Sequence, residues 1–190
     1  AAEPQQAAAG TAQPPSVMKQ EVDYGIIADI GAVALAKGLT SIAAKCAERC
    51  DKAKALVPRV YSDIIKCTLI AKSVGDAEYS RTGVTARIDA LKRLERIMPT
   101  ALNSKDAIAV EDVATTIWNL CLPLLQPNLR SQCTKFFETC ADALQKVDSL
   151  LYPLRAQFHL EIARNVQDEL LPKAVNHVNK GLALDHSSNV

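Results

Sequence analysis

Two cysteine pairs stand at helical spacings: Cys46 and Cys50 are four residues apart, Cys133 and Cys140 seven. Thiols placed this way fall on one helix face and could share a metal ion. A zinc site needs four ligands, however, and structural sites take them from loops with C-x-x-C spacing. No two of the six Cys have that spacing. They read instead as small buried hydrophobes inside helices. His159 stands beside the apolar Phe158 and two residues before Glu161, as a base with a carboxylate nearby would. The more ordinary reading is a satisfied, semi-buried imidazole. His177 and His186 are isolated. A Cys/His nucleophile pair has no local support. The seven Gly are scattered, with no G-x-x-x-x-G-K or G-x-G-x-x-G phosphate loop, and neither G-x-S-x-G nor H-E-x-x-H occurs. No catalytic, metal or cofactor site is expected.

The charged residues offer one further candidate. Net charge is +1, which argues against a dedicated nucleic-acid binder. From Lys37 to Met98, though, 13 Lys/Arg face 7 Asp/Glu, giving +6, and the rest of the chain makes up −5. Within that middle, Arg87, Lys92, Arg93 and Arg96 form the best candidate contact for an acidic protein partner. They have no aromatic interleaving, so a protein surface suits them better than DNA or RNA. A solvated helix face is the competing reading. The surrounding "RTGVTARIDALKRLERIM" is basic and amphipathic, a pattern shared with calmodulin targets.

These residues need elements to hold them, and the composition points to helices. Hydrophobic residues make up 48% of 190 and aromatics 4%, so the core must be Leu, Ile, Val and Ala. Ala is also the best helix former. Residues 1–20, Ala/Pro/Gln-rich and nearly free of bulky side chains, read as a disordered tail or linker. There is no signal peptide, and no uncharged apolar run approaches the ~20 residues that span a bilayer. Reduced thiols fit an intracellular, soluble protein. The chain lacks an initiator Met and its last helical pattern runs nearly to the C-terminus, so a segment of a longer protein is expected.

Helical periodicity runs through the remainder. Residues 21–37 form an apolar helix interrupted by Gly25 and Gly31, and Gly38 ends it. A second helix carries Leu39, Ile42, Ala43, Cys46, Ala47 and Cys50 on one face, which makes a hairpin with small residues at its contact. Pro58 opens a unit with Val60, Ile64, Cys67 and Ala71. A surface helix follows with Val84, Ile88, Leu91, Leu94 and Met98; Pro99 breaks it and Ser104 caps the next. From about Lys105, Ile108, Val110, Val113, Ile117, Trp118, Cys121 and Leu125 predict a helix buried on two sides. Pro123 kinks its last turn, and Pro127 opens the next helix in its first turn. Trp118, Pro123 and Pro127 thus predict a helix–helix corner with the indole filling it. Leu129, Cys133, Phe136, Phe137, Cys140, Leu144 and Val147 continue as one stripe. The last two helices face inward through Leu154, Phe158, Ile162, Ala163 and Val166, and through Leu171, Ala174, Val178, Gly181 and Leu182. The small residues at that crossing follow the tetratricopeptide pattern, without its closing Pro. The expected fold is all-α: irregular stacked helical hairpins, a TPR-like α-solenoid segment. It divides into residues 21–104, with the basic middle, and 105–190, with a TPR-like pair at 150–185.

Three pieces, "ATTIWNLCLPLLQPNLR", "LLYPLRAQFHLEIA" and "AVNHVNKGLALD", resemble the large tetratricopeptide-type cilia- and flagella-associated proteins of the axonemal central apparatus. They are most similar to the member that scaffolds the C1d projection. W-N-x-C-L-P-L-L-Q, from Trp118 to Gln126, is the most specific piece, and L-R-x-Q-x-H-x-E-x-A, from Leu154 to Ala163, comes next. The resemblance covers roughly residues 105–185, and little of 1–104 matches. It implies a non-catalytic structural scaffold without cofactors, located in the cytoplasm and cytoskeleton at the cilium or flagellum axoneme. Its partners would be other central-apparatus proteins, with a calmodulin-containing complex and the microtubule surface among them, and its role central-pair-dependent motility. Nucleic acid and membrane are not expected. The alternative is a small soluble helical enzyme or thiol-dependent regulatory protein using His159 and a nearby Cys.

Overall fold

The computed structural model describes residues 18–75 and 79–187. The expected tail falls outside the described residues, apart from 18–20 at the start of the first helix. Among the described residues eight α-helices follow in order: α1 Met18–Ala36, α2 Thr40–Cys50, α3 Leu56–Val74, α4 Arg81–Asn103, α5 Ala107–Cys121, α6 Thr134–Lys146, α7 Tyr152–Val166 and α8 Leu171–Ser187. Each packs on the next, and α1 also meets α3, α3 meets α5 and α4 meets α6. Contacts between first and second neighbours in sequence are what stacked helical hairpins make, and the all-α expectation holds.

The α1–α2 turn shows how sequence sets the stack. The Leu39 N–H donates to Ala34 O (2.8 Å) and the Gly38 N–H to Leu35 O (3.2 Å). Gly38 has φ +76°, so this is a Schellman stop that a residue with a Cβ would strain. Gly31 does not interrupt α1; it lets α2 and α3 close in. A Cβ there would lie 2.7 Å from Ile65 Cδ1 and 3.0 Å from Cys46 Cβ. Leu39 and Ile42 were expected inside but are exposed, because Ala43, Cys46, Ala47 and Cys50 form the buried face of α2.

Pro99 does not end α4, which runs four residues further to Asn103. Pro99 faces solvent, while Leu94, Met98 and Ala101 on either side of it are buried. Packing of that stripe outweighs the hydrogen bond that proline removes. Ser104 is not the N-cap of the next helix, although its Oγ accepts from the Asp106 N–H (3.3 Å). Its Oγ donates back to Ala101 O (2.7 Å), and Lys105 turns the chain at φ +59°. Asp106 is the N-cap, its carboxylate accepting from the Ile108 and Ala109 N–H groups at 3.0 and 3.4 Å.

Helix α5 is the middle of the core. Ala107–Leu124 is long and apolar enough, by length and composition, to cross a membrane. Here Val110, Val113, Ala114, Ile117, Leu120 and Cys121 are buried among α3, α4 and α6. Ile108 was expected on that face but is exposed. One hydrophobic cluster runs from Val60 on α3 to Ile162 on α7, across residues 104–105 without a break. A smaller one, Ala34, Ala43, Ala47 and Ile65, closes the α1–α3 end.

Polar links tie second neighbours as well. Tyr61 donates to Asp112 (2.8 Å, α3 to α5), Lys135 pairs with Glu95 (2.9 Å, α6 to α4), and Lys173 pairs with Glu138 (2.6 Å, α8 to α6).

Candidate functional site

Helix α5 ends at Cys121, and Pro123 begins a 3-10 turn, Leu122–Leu124, instead of kinking an α-helix. Pro127 does open one turn: the N–H groups of Leu129 and Arg130 both donate to Gln126 O, at 3.0 and 2.9 Å. That turn passes into a 3-10 segment, Arg130–Cys133, and α6 proper starts only at Thr134. Pro127 is therefore not in the first turn of α6. The joint is a seated loop, held by Arg130 Nη2 donating to Leu125 O (3.0 Å) and by Asn165 Nδ2 on α7, which donates to Arg130 O (3.2 Å) and Thr134 Oγ1 (2.9 Å).

Trp118 is half-buried one turn before the joint. Its ring lies 5.7 Å from Phe137 on α6 and 5.5 Å, edge-on, from Phe158 on α7; the two Phe rings are themselves 5.5 Å apart. Three aromatic rings from three helices fix the angle between α5 and the α6–α7 pair. Sequence spacing marks Trp118 as inward-facing but cannot show that its partners come from two other helices.

Beneath the joint lies a buried polar group. Glu161 on α7 is 3% exposed and takes a hydrogen bond from Arg164, and its other oxygen faces Arg130 Nε at 3.7 Å. A buried carboxylate without a cation would be costly, so the two arginines make its burial tolerable. Glu161 therefore orients the joint and does not serve His159. The partner of His159 is His177 on α8, Nδ1 to Nδ1 at 3.0 Å. Burial holds the His159 imidazole down to about 4, with the neighbouring His177, Lys180 and Arg155 acting in the same direction. Burial, then Lys180 and Lys173, lower His177 too. A pair of neutral rings, one donating and one accepting, is the state this favours.

All six cysteines are free and buried. Cys46 and Cys50 do share a face of α2, and Cys50 Sγ donates to Tyr24 O (3.8 Å). Burial pushes Cys50 up to about 11 and Cys67 up to about 12, and it raises Cys121 and Cys140 as well. Cys133 moves the other way. A hydrogen bond from the Cys121 thiol holds it below its usual value, against burial, with Arg130 helping. Among the described residues no three or more His, Cys, Asp or Glu are grouped to hold a metal ion.

The four basic candidates on α4 are dispersed. Arg87 is buried at 7% exposure. Arg93 is ion-paired with Asp63 on α3, and Lys92 with Asp89 at 3.4 Å. Arg96 donates to Lys92 O (3.2 Å). Lys92 and Arg96 are exposed, and the Arg93 side chain is 41% exposed. A calmodulin-type complex with α4 would have to extract Leu91, Leu94 and Met98 from the core. Other exposed cations outside any ion pair among the described residues include Lys45 and Arg49 on α2 and Lys52 in the turn just past its end, at a spacing of four and then three residues. That spacing is legible in the sequence, beside the denser cluster on α4.

No family model matches the chain. The chain is 35% identical over 159 residues to Cilia- and flagella-associated protein 46 of Chlamydomonas reinhardtii, a match that takes in 82% of this chain and 6% of that protein. The chain therefore spans a small fraction of the relative's length. A match of 159 residues also reaches well into residues 1–104, beyond the 105–185 that carried the resemblance.

Proposed function

Because this chain is homologous to a cilia- and flagella-associated protein, we propose that it is a non-catalytic scaffold segment of the ciliary axoneme. It works within the central apparatus, as one stretch of a long TPR-like helical array. The observation that carries this reading is the 35% identity over 82% of the chain. The fold supports it in two ways. The residues able to do chemistry, six thiols, Glu161 and the His159–His177 pair, are committed to packing and to one another. And α8 turns a bulky stripe outward: Leu171, Val175, Val178 and Leu182 are 37% to 64% exposed, one face at helical spacing. In this reading a further helical hairpin of the array covers that stripe. The partners are other central-apparatus proteins, a calmodulin-containing complex and the microtubule surface among them, and the output is central-pair-dependent motility. The runner-up, a thiol-dependent enzyme or regulator, has only the lowered Cys133 in its favour, and that thiol is fully buried.

Deleting residues 24–185 from the parent protein in ciliated cells tests the proposal. Mass spectrometry of the axonemes should show neighbouring central-apparatus proteins lost while outer doublet proteins stay. Unchanged central-apparatus composition would rule the scaffold role out.

A further inference from the structure

The α1–α2 hairpin leaves a groove of about 460 Å³ whose two walls differ in chemistry. The apolar wall is Ile27 and Ile30 on α1, with Ile42 at the start of α2. It continues along α1, where Ile26, Ile30 and Val33 repeat at four and then three residues and are 49% to 61% exposed. The other wall carries Lys45 and Arg49 on α2, about 6 Å apart along the axis at 1.5 Å per residue, and Lys52 in the turn just past its end. Glu48 is the one acidic residue lining the groove. Asp51, the next acid along, is taken by Lys66 and Ser62. No ion pair engages Lys45, Arg49 or Lys52 among the described residues, whereas Lys66, Lys92, Arg93, Arg130, Lys135, Arg164 and Lys173 all have acidic partners. Lys45 and Arg49, one turn apart on α2, repel one another, as does Lys52 just past its end, and an opposing acidic surface relieves all three.

We propose that this groove docks an amphipathic helix of a partner protein, with acidic residues along one flank of its apolar face. The partner's apolar stripe covers Ile30, Ile42 and Val33, and its acidic flank lies along Lys45, Arg49 and Lys52. Helix-in-groove docking of this kind takes its affinity from the apolar anchors and its orientation from the charges. The inference deepens the scaffold reading and rests on it only in taking the occupant to be a protein.

The test uses the purified full chain and two fluorescent synthetic helical peptides with the same Leu stripe, one flanked by Glu and the other by Lys. Anisotropy should show the Glu peptide binding at least tenfold tighter, with the advantage shrinking as salt rises. The triple variant Lys45→Glu, Arg49→Glu, Lys52→Glu should reverse the preference. Ile42→Ser should weaken both peptides at least fivefold while the circular-dichroism melt stays as in the parent, since Ile42 is exposed. Equal binding of the two peptides, binding of neither, or a triple variant that still prefers Glu would overturn the proposal. So would self-association of the chain that Ile42→Ser abolishes, because the occupant would then be a second copy. None of these outcomes depends on cilia, so failure here leaves the axonemal assignment standing, and failure in the axoneme leaves the groove's preference standing.

Discussion

At the residue scale, aromatic and imidazole groups join helices to one another. Trp118 bridges α5 to α6 and α7 through Phe137 and Phe158. Trp118→Ala should therefore cost about 3 kcal/mol, the lower end for a large aromatic because the ring is only half-buried. Urea unfolding gives the number; a loss below about 1 kcal/mol would mean that the ring is not a wedge. The His159–His177 pair makes a second prediction. Both imidazoles bind protons more weakly folded than unfolded. Below the ordinary histidine value of about 6.5 the unfolded chain then binds more protons, so stability is complete above that value and falls as pH drops towards 4. Melting temperature should decline across that window, and His159→Gln with His177→Gln should flatten the slope. A double variant with the parent's slope would place the sensitivity elsewhere. Among residues, the cysteines were legible because their neighbours are apolar at helical spacing. The pairing of His159 with a ring eighteen positions later was not, since nothing local encodes it.

At the scale of the element, sequence period located the helices but not always their ends or faces. Pro99 reads locally as a break, yet α4 continues because Met98 and Ala101 are buried on the opposite side. Tertiary packing overrides a local preference worth about 3 kcal/mol between Pro and Ala. Pro99→Ala should accordingly raise stability by about 1–3 kcal/mol in the same urea experiment, and a destabilised variant would show that the ring packs usefully where it lies. Helix α8 shows a different limit. Its period gives a stripe of large residues and an overlapping set of small ones, and both suit a buried face. The structure puts Ala174 and Gly181 against α7, where a Cβ on Gly181 would stand 3.5 Å from Ala156 O and Leu160. Close approach selects the small residues, so Leu171 and Leu182 turn outward, against the sequence expectation. On α2 the same preference buries Ala43 and Ala47 and leaves Leu39 and Ile42 outside.

For the whole molecule, each helix packs on the next, and α1 with α3, α3 with α5 and α4 with α6 meet as second neighbours, around a main core from α3 to α7 and a smaller one at the α1–α3 end. Its ends differ. One presents isoleucines beside an unpaired cationic stripe, the other leucines and valines on α8. A stack of this kind presents extended surfaces with no local motif, so overall similarity carries the family assignment. The function proposed above places this sequence in a central-apparatus scaffold, and that proposal is open to direct test. An antibody raised against residues 24–185 should be used on immunoblots of purified axonemes from normal ciliated cells and from cells lacking the central pair. A band far above 20 kDa is expected in the first and none in the second. A band of equal strength in both, or one confined to the soluble fraction near 20 kDa, would contradict it.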